Sequence, residues 1–233
     1  DAYAAHLKNI MGQESKLTQQ LYETARRNPQ RVVFAEGIHP TMLKAAVEAR
    51  NEGICHPILL GNDEMIAKKA AELELSLEGI EIINLRHDRE APRRERFAQI
   101  LAEKRARQGY TFEEANDKMF ERNYFGMMMV ETGEADACIT GLYTKYSNTI
   151  KVAKEVIGLK EGYNYFGTMH ILNSKKGTYF IADTLINRSH DVESLKEIAR
   201  LTEQTVRFYN HEPVMAMVSY SNFGSDKGGS AGR

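Results

Sequence analysis

A run of β-branched and aromatic residues that ends on a glycine, and is answered a helix later by a second such run, limits the folds open to this chain more than any other feature. RVVFAEG occupies residues 31–37, Pro40 follows, and Leu43, Ala46, Val47 and Arg50 recur at helical spacing. Gly53 can then stop the helix in a left-handed conformation before HPILLG at 56–61. Pro40 fits the first helical turn, where its missing N–H has no partner to lose. Strand, helix and strand in that order form a βαβ unit, and such a unit requires parallel strands. Ile66, Ala70 and Leu73 add another helix and IEIINL, at 80–85, another strand. A parallel sheet with helices on its faces is therefore the expected frame.

The flanking segments extend this reading. Residues 1–30 carry Leu7, Ile10 and Met11, then Leu17, Leu21, Thr24 and Ala25, and read as a helical lead-in weakly broken at Gly12. The arginine-rich stretch at 86–96 opens a helix containing Phe97, Ile100 and Leu101. Its Asp88, Glu90 and Glu95 fall on a helical period, so it is taken as a solvated face without chemistry. Thr111 and Glu114 have capping-box spacing, which predicts a second long helix. ACITGL at 137–142 reads as a strand, and Ile150, Ala153 and Ile157 as a helical stripe that Gly158 closes. YFGTMHIL (165–172) and GTYFIAD (177–183) flank NSKK as an antiparallel hairpin, which makes the expected sheet mixed. A helix along Leu195, Ile198, Ala199, Thr202 and Tyr209, capped by Ser189 or Asp191, leads to a last strand, VMAMVSYS, from residue 214. The expected organisation is α/β in two lobes, 31–142 and 143–233.

Composition removes whole classes of function. The 31 basic and 32 acidic residues leave a net charge of -1, so no global field draws the chain to nucleic acid. The longest apolar run, MMMV at 127–130, is far short of the ~20 residues that cross a bilayer. The first residues have neither the basic start nor the apolar stretch of a secretory leader, and the expected location is cytoplasmic. Cys55 and Cys138 match no C-x-x-C spacing and are expected to be buried structural thiols.

The familiar cofactor signatures are absent. The chain has no G-x-G-x-x-G after a strand, no G-x-x-x-x-G-K-[ST], no H-E-x-x-H and no G-x-S-x-G. The seven histidines are scattered, and His170 in an apolar strand reads as a core residue. No metal site and no catalytic residue is assigned. What remains is three polar loops at the carboxyl ends of strands, where open α/β sheets bind ligands. AEGIHP brings Glu36, GLYTKYSNT brings Thr144, Lys145 and Asn148 with Lys151 just beyond, and SYSNFGSDKGG brings Ser219, Ser221, Asn222, Gly224, Ser225 and Lys227. Glycines admit an anion to the backbone, hydroxyls donate to it and lysines supply charge, which together suggest an anionic ligand. That these are simply turns stays an open alternative.

Four blocks in order, RVVFAEG with HPILLG, ADACITGL with TIKVAKEVIG, ADTLINRSHDVESLKEIA, and VMAMVSYSNFGS, resemble the phosphate acetyltransferase and butyryltransferase domain. Members of that family move an acyl group between coenzyme A and phosphate. Closer still is the version found as the C-terminal half of large bacterial NADP-dependent malic enzymes, which prefers SYSNFGS, with residues 1–28 similar to the connector between the two halves. The resemblance implies a three-layer αβα fold, acetyl-CoA or coenzyme A as ligand, a homo-oligomer, and NADP and a divalent metal only in the malic-enzyme half. It also implies that the family pattern continues past residue 233, with the catalytic serine, arginine and aspartate in that further part.

Several positions depart from active transferases. Thr41 stands where the family usually has arginine, and Tyr146, Asn148 and Lys151 stand for threonine, aspartate and arginine. Asn222 and Phe223 replace threonine and lysine. A guanidinium fork holds phosphate in two directions and a lysine only as a point charge, so these exchanges argue against phosphate chemistry. Three readings follow: an acyl-CoA-sensing regulatory module of a malic enzyme without turnover of its own; an active phosphate acetyltransferase, with Ser219, Ser221, Asn222, Gly224 and Ser225 lining the site; and a structural oligomerisation domain.

Overall fold

The computed structural model describes residues 16–174, 176–187 and 189–218. They fall into two compact units, one of residues 21–158 and the other of residues 159–218 with the first turn of the leading helix. That helix, α1 (Lys16–Arg27), is followed by β1 (Gln30–Phe34), α2 (Pro40–Asn51), β2 (Cys55–Leu60), α3 (Asp63–Glu72) and β3 (Glu81–Ile83). Next come α4 (Ala91–Lys104), α5 (Phe112–Lys118), α6 (Arg122–Glu131), β4 (Ala137–Ile139) and α7 (Tyr146–Val156).

The four strands form one sheet in the order β3-β2-β1-β4, and every pairing is parallel. Side chains alternate across a strand, so each strand feeds two cores. Phe34 and Leu59 point to one side, where Met42, Leu43, Ala46 and Val47 of α2 and Ile66 and Ala70 of α3 cover them. Val33, Ile58, Leu60 and Ile83 point to the other, against Phe97 and Leu101 of α4, Phe125 and Met128 of α6, and Val152 and Val156 of α7. The result is three layers. Burying a large apolar side chain contributes ~1.5–3 kcal/mol, so Leu43, fully buried at the centre of the α2 face, is a residue whose truncation to alanine costs about 2–5 kcal/mol.

Local chemistry sets most element ends. Pro40 enters the first turn of α2, and Gly53, at φ 67°, stops the chain after it. Asn62 caps α3 by accepting from Met65 N at 2.9 Å, and Thr111 and Glu114 form the reciprocal box at the head of α5. The second long helix expected after Thr111 is broken, however. Tight bonds from Phe120 N to Asp117 O and from Glu121 N to Lys118 O end α5, which turns Met119 into the core before α6 begins. The arginine-rich stretch is also more than a solvated face. Arg93 and Arg96 pair with Glu134, but Arg94 turns inward, donating to the carbonyls of Leu85 (2.7 Å) and His87 (3.0 Å) beneath the Phe120 ring.

The helix expected near Ile150 is α7, but its buried positions are Val152 and Val156, while Ile157 is exposed. Because α7 packs in the core it shares with α4 and α6, the division falls after Gly158 rather than near residue 142. The second unit contains the hairpin β5 (Met169–Ser174) and β6 (Gly177–Ala182), then α8 (Val192–Phe208), capped by Asp191 rather than Ser189. The hairpin forms a two-stranded sheet of its own, so the main sheet is purely parallel and not mixed. The last expected strand is also absent from the part of it described. Residues 211–218 are irregular, and Val214 and Val218 are more than nine-tenths exposed; with no strand among the described residues to pair its N–H and C=O groups, an apolar run gains nothing from extension. Among the described residues no helix is long and apolar enough to cross a membrane.

Candidate functional site

The chain runs outward from β1 through β2 to β3 and then returns to the far side of β1 as β4. Strand order therefore reverses between β1 and β4, and in open parallel sheets ligands bind outside the carboxyl ends at such a reversal. Phe34 lies opposite Ile139, and Ala35 N donates to Ile139 O at 3.0 Å, so residues 36 and 140–142 leave the same edge together.

Glu36 is the centre of that edge. Its side chain is 1% exposed, and Oε1 accepts three hydrogen bonds: from Thr140 Oγ1 (3.1 Å), Gly141 N (3.0 Å) and Leu142 N (3.2 Å). Gly141 lies at φ 127°, a conformation that side chains rarely tolerate, and this turns two successive N–H groups toward one oxygen. Glu36 Oε2 is buried and has no hydrogen-bond partner among the described residues. Gly37 holds the loop down. Its N–H donates to Leu60 O at 3.1 Å, and a methyl group there would lie 2.9 Å from the same oxygen and 3.0 Å from Leu59 Cβ.

A polar chain leads away from the carboxylate. Thr140 Oγ1 lies 2.5 Å from Asn123 Oδ1, Asn123 Nδ2 lies 3.4 Å from Thr144 Oγ1, and Thr144 Oγ1 lies 3.1 Å from Thr149 Oγ1. One hydroxyl proton serves one acceptor, so with Thr140 donating to Glu36 a half-turn of the Asn123 amide completes the chain, its Nδ2 donating to Thr140. Nearby, Tyr143 sits edge-on to the His39 ring at 5.2 Å, with the Arg122 guanidinium over it at 5.3 Å. His39 in turn accepts from Thr41 N at 3.2 Å and caps α2. The loops after β1 and β4 are thus joined through both Glu36 and Tyr143.

Helix α7 is held firmly at its far end. Arg105 donates to the carbonyls of Glu155 and Lys154, each at 2.6 Å, and Glu155 Oε2 accepts from Tyr110 at 2.7 Å and from Tyr124. Burial pushes the Glu155 carboxyl up, but the bonds from Tyr124 and Tyr110 outweigh it and hold the group below the usual range. At the near end Lys145, Asn148 and Lys151 are exposed, and Lys151 reaches Glu155 at 3.8 Å. Burial, aided by the charge of Glu36, pushes the Cys138 thiol up to about 12.

Of the residues singled out in the sequence, Glu36 and Thr144 belong to one hydrogen-bonded chain, while Lys145, Asn148 and Lys151 line the exposed start of α7. Ser219, Ser221, Asn222, Gly224, Ser225 and Lys227 lie outside the described residues. Asn123, Thr140 and the His39–Tyr143–Arg122 stack were not anticipated. A signal for Asn123 was present, a lone amide in the otherwise apolar NYFGMMMV. Among the described residues no group of three or more His, Cys, Asp or Glu side chains could hold a metal ion.

The sequence pattern of the family described as phosphate acetyl/butaryl transferase matches residues 16–233. The chain belongs to that family. An NADP-dependent malic enzyme of Salmonella typhimurium is 34% identical over 237 residues, covering all of this chain but 31% of the enzyme. A phosphate acetyltransferase of Bacillus subtilis is 33% identical over 197 residues, covering 84% of this chain and 60% of the enzyme. The crystal structure of a phosphotransacetylase from Streptococcus pyogenes superposes with a TM-score of 0.79 at 29% identity, over 92% of this chain and 65% of that one. The chain therefore spans less than a third of the malic enzyme and three-fifths of the acetyltransferase. Among the described residues, polar groups from two loops converge at the edge between β1 and β4.

Proposed function

We propose that this domain is an acyl-CoA-sensing regulatory module of a malic enzyme, in which a transferase fold keeps a coenzyme A site and has lost turnover. The observation that carries this reading is the alignment of the whole chain with 31% of an NADP-dependent malic enzyme, combined with Thr41 and Lys151 at positions where the transferase pattern has arginine. Lysines 145 and 151 at the exposed start of α7 suit the phosphates of the ligand as point charges, and a helix start without acidic residues favours an anion. Acetyl-CoA then acts by binding one state of the assembly more tightly, and couplings of ~1–3 kcal/mol suffice. In this reading the parent polypeptide is cytoplasmic and homo-oligomeric, with NADP and a divalent metal in its malate-oxidising part.

The likeness to phosphate acetyltransferases of Bacillus subtilis and Streptococcus pyogenes favours a second reading, an active acyl transfer between coenzyme A and phosphate. One experiment separates them. The complete parent enzyme is assayed for malate-dependent NADP reduction with and without acetyl-CoA, and for acetyl phosphate formation from acetyl-CoA and phosphate. A change in malate turnover without acetyl phosphate supports regulation; acetyl phosphate establishes the transferase; neither leaves an oligomerisation domain.

A further inference from the structure

A guanidinium reaches the β1/β4 edge with its donors uncommitted. Neither strand-end loop, AEGIHP or GLYTKYSNT, contains an arginine. Arg122, the first residue of α6, supplies one from outside, its guanidinium lying over the Tyr143 ring at 5.3 Å. The residue is partly exposed, and among the described residues its side chain donates to no acceptor and pairs with no carboxylate. The acid beside it in sequence, Glu121, is engaged by Lys118 at 3.4 Å instead, and Glu36 Oε1 is occupied by Thr140, Gly141 and Leu142. An aromatic contact holds a guanidinium in place without consuming the planar fork of N–H donors that matches a phosphate. The ring is fixed in its turn, because Tyr143 meets the edge of His39 at 5.2 Å and His39 accepts from Thr41 N at 3.2 Å. The start of α2, His39, Tyr143 and Arg122 are thus linked in series across both loops. The next residue, Asn123, lies in the polar chain that joins Thr140 to Thr144 and Thr149, so hydroxyls stand near the same edge.

We propose that Arg122 is a phosphate-contacting residue of the β1/β4 edge and that Tyr143 is the positioning residue that holds its guanidinium ready. This rests on the reading of the domain as one that takes coenzyme A or phosphate, and it names the side chain that supplies the forked contact there. Lys145 and Lys151 add charge without direction, whereas Arg122 fixes the orientation of the group it binds. Tyr143 is half exposed, so a phosphate group reaches the guanidinium without opening a core.

The test uses the complete polypeptide carrying this domain and three probes: acetyl-CoA, inorganic phosphate, and S-acetylpantetheine, which has the thioester arm and no phosphate. By calorimetry Arg122→Gln weakens acetyl-CoA or phosphate binding about tenfold and leaves S-acetylpantetheine unchanged. A loss confined to acetyl-CoA assigns Arg122 to a phosphate of coenzyme A, and a loss confined to phosphate assigns it to the free ion; either supports the proposal. Arg122→Lys recovers part of the affinity, since charge returns without the fork. Tyr143→Phe binds as the natural chain does and Tyr143→Leu several-fold more weakly, because the ring face and not the hydroxyl holds the guanidinium. A second measurement needs no variant: phenylglyoxal, which modifies arginine, labels the peptide containing Arg122, and acetyl-CoA or phosphate slows that labelling several-fold while S-acetylpantetheine does not. Unchanged affinity of Arg122→Gln for both acetyl-CoA and phosphate, an equal loss for S-acetylpantetheine, absence of binding by both phosphate-bearing probes, or labelling of Arg122 that neither probe slows each overturns the proposal. The regulatory reading fails separately, through malate turnover that ignores acetyl-CoA even though acetyl-CoA or phosphate protects Arg122.

Discussion

The hydroxyl of Tyr110 donates to Glu155 Oε2 at 2.7 Å, across 45 residues of chain, and so ties the segment before α5 to the last turns of α7. Tyr124 of α6 donates to the same oxygen. The helix that presents Lys145 and Asn148 is thereby anchored at one end and exposed at the other. Replacing Tyr124, only 2% exposed, by phenylalanine removes one of the two donors and is expected to lower stability by about 1–2 kcal/mol. Urea denaturation with an unchanged slope is the check.

The same carboxylate sets a pH dependence. Its folded pKa is depressed, so its contribution is complete above the unfolded value of about 4.3 and is lost as pH falls through the lower folded value. The stability gap between the natural chain and a Tyr110→Phe/Tyr124→Phe variant is therefore expected to narrow as pH falls below the unfolded value. Denaturation curves at a series of acidic pH values measure it, and a gap that widens there contradicts the assignment.

Gly126 lets α6 lie close on the sheet. A methyl group there would sit 3.0 Å from Cys138 Sγ and 3.2 Å from Val33 Cγ1. Alanine is the better helix former by ~1 kcal/mol, but overpacking costs about 1–3 kcal/mol, so Gly126→Ala is expected to destabilise by about 1 kcal/mol. In a Cys138→Ala background part of the clash is gone, and the loss is expected to shrink. A double-mutant cycle reads this coupling directly.

The two thiols should be silent in the folded protein. Burial raises both, Cys138 to about 12, and the thiolate is the reacting form. Neither is expected to react with a thiol reagent at neutral pH within the mixing time, and both are expected to react after denaturation. A rapid native reaction would place Cys138 outside the core packing described above.

Lys145 and Lys151 are exposed, and the Lys151–Glu155 pair at 3.8 Å is a weak surface contact. Either lysine replaced by alanine is expected to change stability by less than ~0.5 kcal/mol. Acetyl-CoA binding by the parent enzyme is expected to weaken several-fold and to lose part of its salt dependence. Calorimetry at two ionic strengths distinguishes a charge contact from a packing effect.

The βαβ pattern, the caps at Thr111 and Asp191, the stops at Gly53 and Gly158, and the hairpin were all readable from residue order, because each rests on groups a few positions apart. The family was legible for the same reason, as blocks in order along the chain. Other features had no local signature. Phe120 and Glu121 break a helix because Met119 has a core to enter, Arg94 turns inward because two carbonyls and an aromatic ring await it, and the two strands of the hairpin pair with each other as a separate sheet. The residues 214–218 show the converse, since β-forming side chains without a neighbouring strand among the described residues are irregular.

The same division runs through the candidate site. Residue order placed Glu36 and Thr144 at strand ends, since alternation and turn chemistry act over short distances. Only the folded sheet, by setting β4 beside β1, brought Thr140, Gly141 and Leu142 onto one oxygen of Glu36 across more than a hundred positions and left the other without a donor among the described residues. Hydrogen bonds between residues so far apart depend on which strands become neighbours, and that is decided by how the two cores pack.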